Sequence, residues 1–144
     1  MIQHPRSPGW PQLLWSRLQE PRLMTAAHII AYATIAAAGA SVLMDPPASI
    51  STQIGHTMTT LWGLMSLIGG AVAMIACPAG RWMIEKPALV LCATGVLLYG
   101  LTVFGLHWTT DGNRLPQALI LAALFLHLAG RFVYIRPFSY EPGK

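Results

Sequence analysis

Four stretches of this chain contain no Asp, Glu, Lys or Arg: residues 23–44, 46–80, 87–110 and 115–130. Each stretch is mostly apolar, and a helix of about 20 apolar residues is long enough to cross the hydrocarbon core of a bilayer. The pattern therefore predicts an all-α fold, a bundle of four transmembrane helices joined by short loops. The expected spans are residues 24–44, 57–77, 87–107 and 115–135.

The composition favours a single membrane domain. The chain is 54% hydrophobic and 10% charged, whereas an ordinary soluble domain is about 25% charged. Outside the membrane domain, residues 24–136, lie an arm over residues 1–23 and a tail over residues 137–144. Neither is long enough for a separate soluble domain. The high hydrophobic fraction and the short segments outside the membrane domain exclude most classes of soluble enzyme.

The basic residues sort by side of the membrane. Eight of the nine fall in the arm, the middle loop or the C-terminal end: Arg6, Arg17, Arg22, Arg81, Lys86, Arg131, Arg136 and Lys144. Only Arg114 falls on the other side. The positive-inside rule then predicts that both termini are cytoplasmic in a multi-pass protein of the bacterial inner membrane. These cations face anionic lipid, so the bilayer is the expected partner and nucleic acid is not.

The arm carries a short amphipathic segment over residues 11–20. Leu14, Trp15 and Leu18 share one side of that segment, and Trp10 lies beside it. This pattern predicts an interfacial helix lying on the cytoplasmic leaflet. The alternative is a disordered arm.

Two further residues are expected at the same interface. Trp82 lies in the predicted cytoplasmic loop over residues 78–86, and tryptophan is enriched at membrane–water boundaries. Arg131 lies near the end of the fourth span, where its long side chain is expected to extend to the inner headgroups.

Small residues recur at helical spacing in two spans. The second span carries Gly63, Ser66, Gly70 and Ala73, and the first span carries Ala33, Ala37 and Ser41. Helices associate in lipid through close van der Waals contact, which small side chains permit. These stripes are expected either to pack the four helices against one another or to face outward and drive self-association. The sequence does not assign their faces.

Four histidines fall in the spans at matching depths. His28 and His127 lie near the cytoplasmic side, and His56 and His107 lie near the outer ends of their spans. Such pairs are candidates for bis-histidine haem ligation or a proton path. The alternative is structural, because His28 shares a helix face with Thr25 and Tyr32 and is able to hydrogen-bond across helices. No cofactor and no metal are assigned.

No catalytic motif is evident in the chain. Its five acidic residues are scattered at span boundaries, and the predicted spans lack the charged residues on which ion-coupled transporters usually depend, except where Arg131 ends the fourth. Cys77 and Cys92 lie near the reducing cytoplasmic side without a zinc-site spacing, so neither a disulfide nor a metal is expected. We expect a protein that is not an enzyme.

The second half of the chain carries a recurring set of boundary residues. They are residues 85–88 (EKPA), Gly95, Tyr99, residues 112–118 (GNRLPQA), Arg131 and residues 135–136. In these positions the chain resembles a group of small four-span membrane proteins of actinobacteriophages, some described as holin-like. The resemblance implies a role in host lysis and supplies no catalytic residues.

Three functional hypotheses follow from these observations. The first is a holin-like membrane protein that accumulates in the inner membrane, self-associates and opens a lesion. The second is an accessory or interaction subunit of a membrane complex, or a phage exclusion or defence factor, which uses the same faces on another membrane protein. The third is a haem-binding electron-transfer anchor that uses His28 and His127.

Overall fold

The computed structural model describes residues 22–137, apart from the side chains of residues 49, 50 and 53. Every regular element in this part of the chain is a helix: α1 (Arg22–Met44), α2 (Ala48–Ala76), α3 (Trp82–Thr109) and α4 (Leu115–Ile135). All four are long and apolar enough to cross a membrane. The prediction of an all-α fold with four spans is thereby confirmed.

Two of the segments for which the sequence makes predictions are not described by the structure. The interfacial helix expected around Trp10, Leu14, Trp15 and Leu18 lies outside the described residues, as does the tail beyond residue 137. The cytoplasmic location of both termini stays a prediction. We call the end that carries Arg22, Arg81, Lys86, Arg131 and Arg136 the basic end.

Helix α2 begins inside the segment expected to be the first outer loop. It starts at Ala48, and its backbone leaves helical geometry at Gly55, where φ is 81° and ψ is 156°. Glycine adopts positive φ readily because it lacks a Cβ. The Ser51 and Thr52 hydroxyls donate to the Ala48 carbonyl, at 3.2 and 2.8 Å. A short helical segment thus precedes the apolar span Ile54–Ala76.

A tight turn joins α2 to α3. Gly80 has a φ of 63°, the Arg81 N–H donates to the Ala76 carbonyl at 3.1 Å and the Gly80 N–H donates to the Cys77 carbonyl at 3.2 Å. These bonds form a Schellman motif, which satisfies carbonyls at a helix C-terminus. The chain therefore reverses within a few residues.

Helix α3 consequently begins earlier than the sequence predicts. It starts at Trp82, so that Pro87, expected at the helix start, lies inside the helix. Glu85, which the sequence analysis placed in a loop, lies in the first helical turn. A carboxylate at this position interacts favourably with the positive end of the helix dipole.

Close backbone packing runs between consecutive helices, α1 with α2, α2 with α3 and α3 with α4. Glycine makes these approaches possible. A Cβ on Gly70 would lie 2.7 Å from the Tyr32 carbonyl oxygen of α1, and a Cβ on Gly95 would lie 2.7 Å from the Ser66 hydroxyl of α2. A side chain at Gly70 would meet backbone atoms and force α1 and α2 apart, whereas a side chain at Gly95 would displace the Ser66 hydroxyl.

The small-residue stripe of α2 therefore packs inside the molecule. Its members Gly63, Ser66, Gly70 and Ala73 are all buried. Of the two roles expected for this stripe, it therefore has the first, which is to pack the helices of one molecule against one another.

The stripe expected on α1 lies on a different side of its helix. Ala33 is half-buried, and Ala37 and Ser41 are exposed. The packed face of α1 is formed by Thr25, His28, Tyr32, Ile35, Gly39 and Val42.

An apolar groove of about 280 Å³ separates α3 from α4 at the end opposite the basic end. Gly100, Phe104, Ala118 and Phe125 are among the side chains that line it. Since a Cβ on Gly100 would meet only the Leu121 side chain, at 3.5 Å, the two helices are less tightly packed here than α1 and α2.

Candidate functional site

Four polar side chains, one from each helix or from the residue directly after it, meet at the basic end. They are Tyr32 of α1, Cys77 directly after α2, Glu85 of α3 and Arg131 of α4. We call this set the four-helix polar cluster. It combines elements that are not consecutive in sequence, whereas the close backbone packing joins only consecutive helices.

Glu85 is the centre of the cluster. Its side chain is fully buried, and it forms a salt bridge with Arg131. The Arg131 guanidinium donates from Nε to Oε1 at 2.9 Å and from Nη2 to Oε2 at 3.1 Å. The Tyr32 hydroxyl donates to Oε1 at 3.0 Å. A buried carboxylate is tolerated when it is paired and hydrogen-bonded in this way.

The position of Arg131 differs from the sequence-based expectation. The guanidinium does not extend to the headgroups but turns inward to Glu85, and the side chain is only 11% exposed. Its Nη2 also donates to the Cys77 Sγ at 3.8 Å, and its Cζ lies 5.9 Å from the centre of the Tyr134 ring. Pairing with Glu85 compensates the positive charge of Arg131, which would otherwise have to reach water.

The spans consequently hold a buried charge pair that the sequence analysis missed. A usable signal was present, since Glu85 and Arg131 have opposite charges and lie at the same end of neighbouring antiparallel spans. The sequence predicts Glu85 in a loop and Arg131 at the headgroups, and it therefore does not pair the two residues. The expectation that no acidic residue lies within the spans was therefore wrong.

The cluster is suited to holding helices together. Both oxygens of the Glu85 carboxylate accept hydrogen bonds. Oε1 accepts from Arg131 and from Tyr32, and Oε2 accepts from Arg131. A carboxylate committed to these donors is poorly placed to accept a proton from a substrate. The geometry indicates a structural junction between α1, α3 and α4.

His28 and His127 meet beside the cluster, as their matching depth predicted. Their rings stack with centroids 5.0 Å apart and an interplanar angle of 23°. His28 is buried, and its Nδ1 lies within hydrogen-bond distance of the Met24 carbonyl oxygen. Two haem ligands must have the whole porphyrin plane between them. Stacked rings leave no such gap, so the pair does not fit a bis-histidine haem.

The second pair of histidines, His56 and His107, is not in contact. His56 is exposed, with its Nδ1 3.4 Å from the Thr60 hydroxyl. His107 packs edge-on against Trp108, with ring centroids 5.2 Å apart. No ring contact joins His56 to His107.

Metal-binding and redox groups are sparse in the part of the chain that the structure describes. Residues 22–137 contain no group of three or more His, Cys, Asp or Glu side chains placed to hold a metal ion. Cys77 and Cys92 are both buried, free thiols. Trp82, expected at the interface, is half-buried and packs against the core as the first residue of α3.

Comparison with protein-family models, with curated proteins and with solved structures finds no match for this chain.

Proposed function

We propose that this chain is a non-enzymatic, holin-like protein of the bacterial inner membrane, which self-associates through the outward face of α1. The supporting observation is the composition of that face. Between Met24 and Met44 the exposed residues of α1 are Ala27, Ile30, Thr34, Ala37, Ala38 and Ser41. Only one of these side chains, Ile30, is a large hydrophobic one.

The outward faces of the other helices are different. They carry large apolar side chains, among them Leu61, Ile68 and Ile75 on α2, Leu97 and Leu101 on α3, and Leu119, Ile120 and Val133 on α4. Large side chains are well suited to contact with lipid tails, whereas a face of small residues lets a second helix approach closely. The contrast favours α1 as the surface that contacts another transmembrane helix.

The small-residue stripe of α2 is already used inside the molecule. Gly63 and Gly70 pack against α1, and a Cβ on Gly63 would lie 3.1 Å from the Leu43 side chain. Self-association through the α2 stripe would require the bundle to open. Contact through Ala37 and Ser41 leaves the bundle intact.

In this mechanism copies accumulate in the membrane and pack through α1 until a lesion opens at a critical density. The resemblance to holin-like phage proteins supports the same assignment. The four-helix polar cluster keeps each copy folded as one unit while its outward face is free to associate.

A different partner for the same face is the second candidate. An accessory subunit of a membrane complex, or a phage exclusion or defence factor, would place the α1 face against a helix of another protein. The size of the side chains suits either partner equally.

The substitution Ala37→Leu tests the proposal. It fills the α1 face, and we expect smaller crosslinked oligomers in membranes and delayed loss of membrane potential when the protein is expressed alone. Ala123→Leu is the matched control, because Ala123 is an exposed alanine on α4. That control is expected to behave like the unmodified protein.

Two results would count against the proposal. Unchanged oligomers and unchanged depolarisation in Ala37→Leu would exclude the α1 face as the contact. Normal membrane potential in cells that contain the unmodified protein, together with crosslinking of position 37 to another protein, would favour the accessory subunit.

A further inference from the structure

We infer that the junction between the start of α3 and the end of α4 binds the phosphate group of an anionic phospholipid, through Lys86 and Arg136. This inference is independent of self-association through α1. It rests on the placement of the two cations, on the charge around them and on the apolar surface next to them.

The fold brings the Lys86 ammonium, at the start of α3, against the backbone of Arg136, at the end of α4. The Lys86 Nζ donates a hydrogen bond to the Arg136 carbonyl oxygen at 3.1 Å. Lys86 is half-buried in the second turn of α3, and Arg136 is exposed directly after the last turn of α4. Two basic residues that lie 50 positions apart in the sequence are thereby neighbours at one point of the basic end.

The charge of this end is strongly positive. Within residues 22–137 this end carries five basic residues, Arg22, Arg81, Lys86, Arg131 and Arg136, and one acidic residue, Glu85. Glu85 is fully buried and bonded to Arg131, so its charge is removed from the surface. The other two acidic residues within residues 22–137, Asp45 and Asp111, lie at the opposite end. Such an end attracts anionic headgroups.

An exposed apolar residue lies one helical turn deeper than each cation. Val90 follows Lys86 by four residues and is 50% exposed, and Val133 precedes Arg136 by three residues and is 66% exposed. Residues at these spacings lie on the same side of a helix. A ligand that contacts both the two cations and the two valines has a phosphate and an acyl chain. This combination identifies a phospholipid and not a free phosphate ion.

The test compares lipid binding to variants of the purified full chain in a zwitterionic detergent. Native mass spectrometry is used to follow titration with phosphatidylglycerol, with phosphatidylcholine and with inorganic phosphate. The double variant Lys86→Gln/Arg136→Gln removes both charges, and glutamine is still able to donate to the Arg136 carbonyl. Arg114→Gln is the matched control, since it removes the basic residue of the opposite end.

We expect the unmodified chain to prefer phosphatidylglycerol to phosphatidylcholine. One cation near the surface contributes about 1 kcal/mol to anionic-lipid attraction, which is about fivefold in affinity, so the double variant is expected to lose about 25-fold. Arg114→Gln is expected to retain the preference, and Arg136→Lys in the otherwise unmodified chain is expected to retain most of it.

Three outcomes would overturn the inference. One is a preference for phosphatidylglycerol that the double variant keeps while its helical circular dichroism is normal. The second is equal binding of phosphatidylcholine and phosphatidylglycerol by the unmodified chain. The third is displacement of phosphatidylglycerol by millimolar inorganic phosphate, which would identify a site for the free ion.

Discussion

The Arg131 guanidinium pairs with the Glu85 carboxylate through two hydrogen bonds, Nε to Oε1 at 2.9 Å and Nη2 to Oε2 at 3.1 Å. This pairing joins α4 to α3 at the basic end, and the Tyr32 hydroxyl extends it to α1. The close backbone packing elsewhere follows the order of the chain. The Glu85–Arg131 pair therefore reinforces the contact between the consecutive helices α3 and α4, and the Tyr32–Glu85 bond joins α1 to α3, which are not consecutive.

The Glu85–Arg131 pair is expected to stabilise the bundle as a coupled unit. Glu85→Ala leaves a largely buried guanidinium without its carboxylate, a change that costs about 3 kcal/mol in the free energy of unfolding. The double variant Glu85→Ala/Arg131→Ala also loses free energy of unfolding. Its loss is expected to be smaller than the sum of the two single losses by about 1 kcal/mol or more. Equilibrium unfolding in mixed micelles measures both quantities. Strictly additive losses would show that the two residues act independently.

The Tyr32 hydroxyl is expected to contribute through its bond to the buried carboxylate. A hydrogen bond to a charged group contributes about 1.5–3 kcal/mol, so Tyr32→Phe is expected to lower the free energy of unfolding by about 2 kcal/mol. Tyr99→Phe is the control, because the Tyr99 hydroxyl accepts a bond from the neutral, exposed Gln117 side chain at 2.7 Å. Its loss is expected to be below about 1 kcal/mol. Equal losses in the two variants would refute a special role for the charge of Glu85.

Gly70 is expected to tolerate no side chain. A Cβ there would lie 2.7 Å from the Ala36 nitrogen and from the Tyr32 carbonyl oxygen. Forcing α1 and α2 apart is expected to cost about 1–3 kcal/mol in Gly70→Ala. Gly130→Ala is the control, because a Cβ there meets nothing within 4 Å. Alanine in a helix is favoured over glycine by about 0.5–1 kcal/mol, so thermal melting of this variant is expected at an equal or higher temperature.

Both native thiols are expected to resist alkylation in the folded protein. Cys77 is 1% exposed and Cys92 is 0% exposed. In Arg131→Ala, the thiol of Cys77 loses a neighbour that covers it, and N-ethylmaleimide is expected to label it faster, while labelling of Cys92 changes less. Peptide mass spectrometry after timed labelling distinguishes the two sites. Rapid labelling of Cys92 in the unmodified chain would contradict the packing of α2 against α3.

The sequence was sufficient for the number and approximate bounds of the spans. Hydropathy is a local property that sums along a helix, so a run of about 20 apolar residues identifies a span whatever its neighbours are. The matching depth of His28 and His127 was likewise readable, because rise per residue converts sequence position into depth.

Rotation about the helix axis was not readable. Helices α1 and α3 are apolar on nearly all sides, so the sequence offers little to show which face turns inward. The face on which the Ala33–Ala37–Ser41 stripe lies was therefore not predictable, and the packed structure places Ala37 and Ser41 on the surface.

Four apolar helices with the positive charge collected at one end could be predicted from the sequence without any knowledge of how the helices pack. The tertiary structure alone decided that Glu85 meets Arg131, that the α2 glycines are used internally and that the small residues of α1 face outward. The physical reason is the same in each case. Hydropathy and charge are additive along the chain, whereas the rotation and pairing of helices depend on how side chains from distant positions fit together.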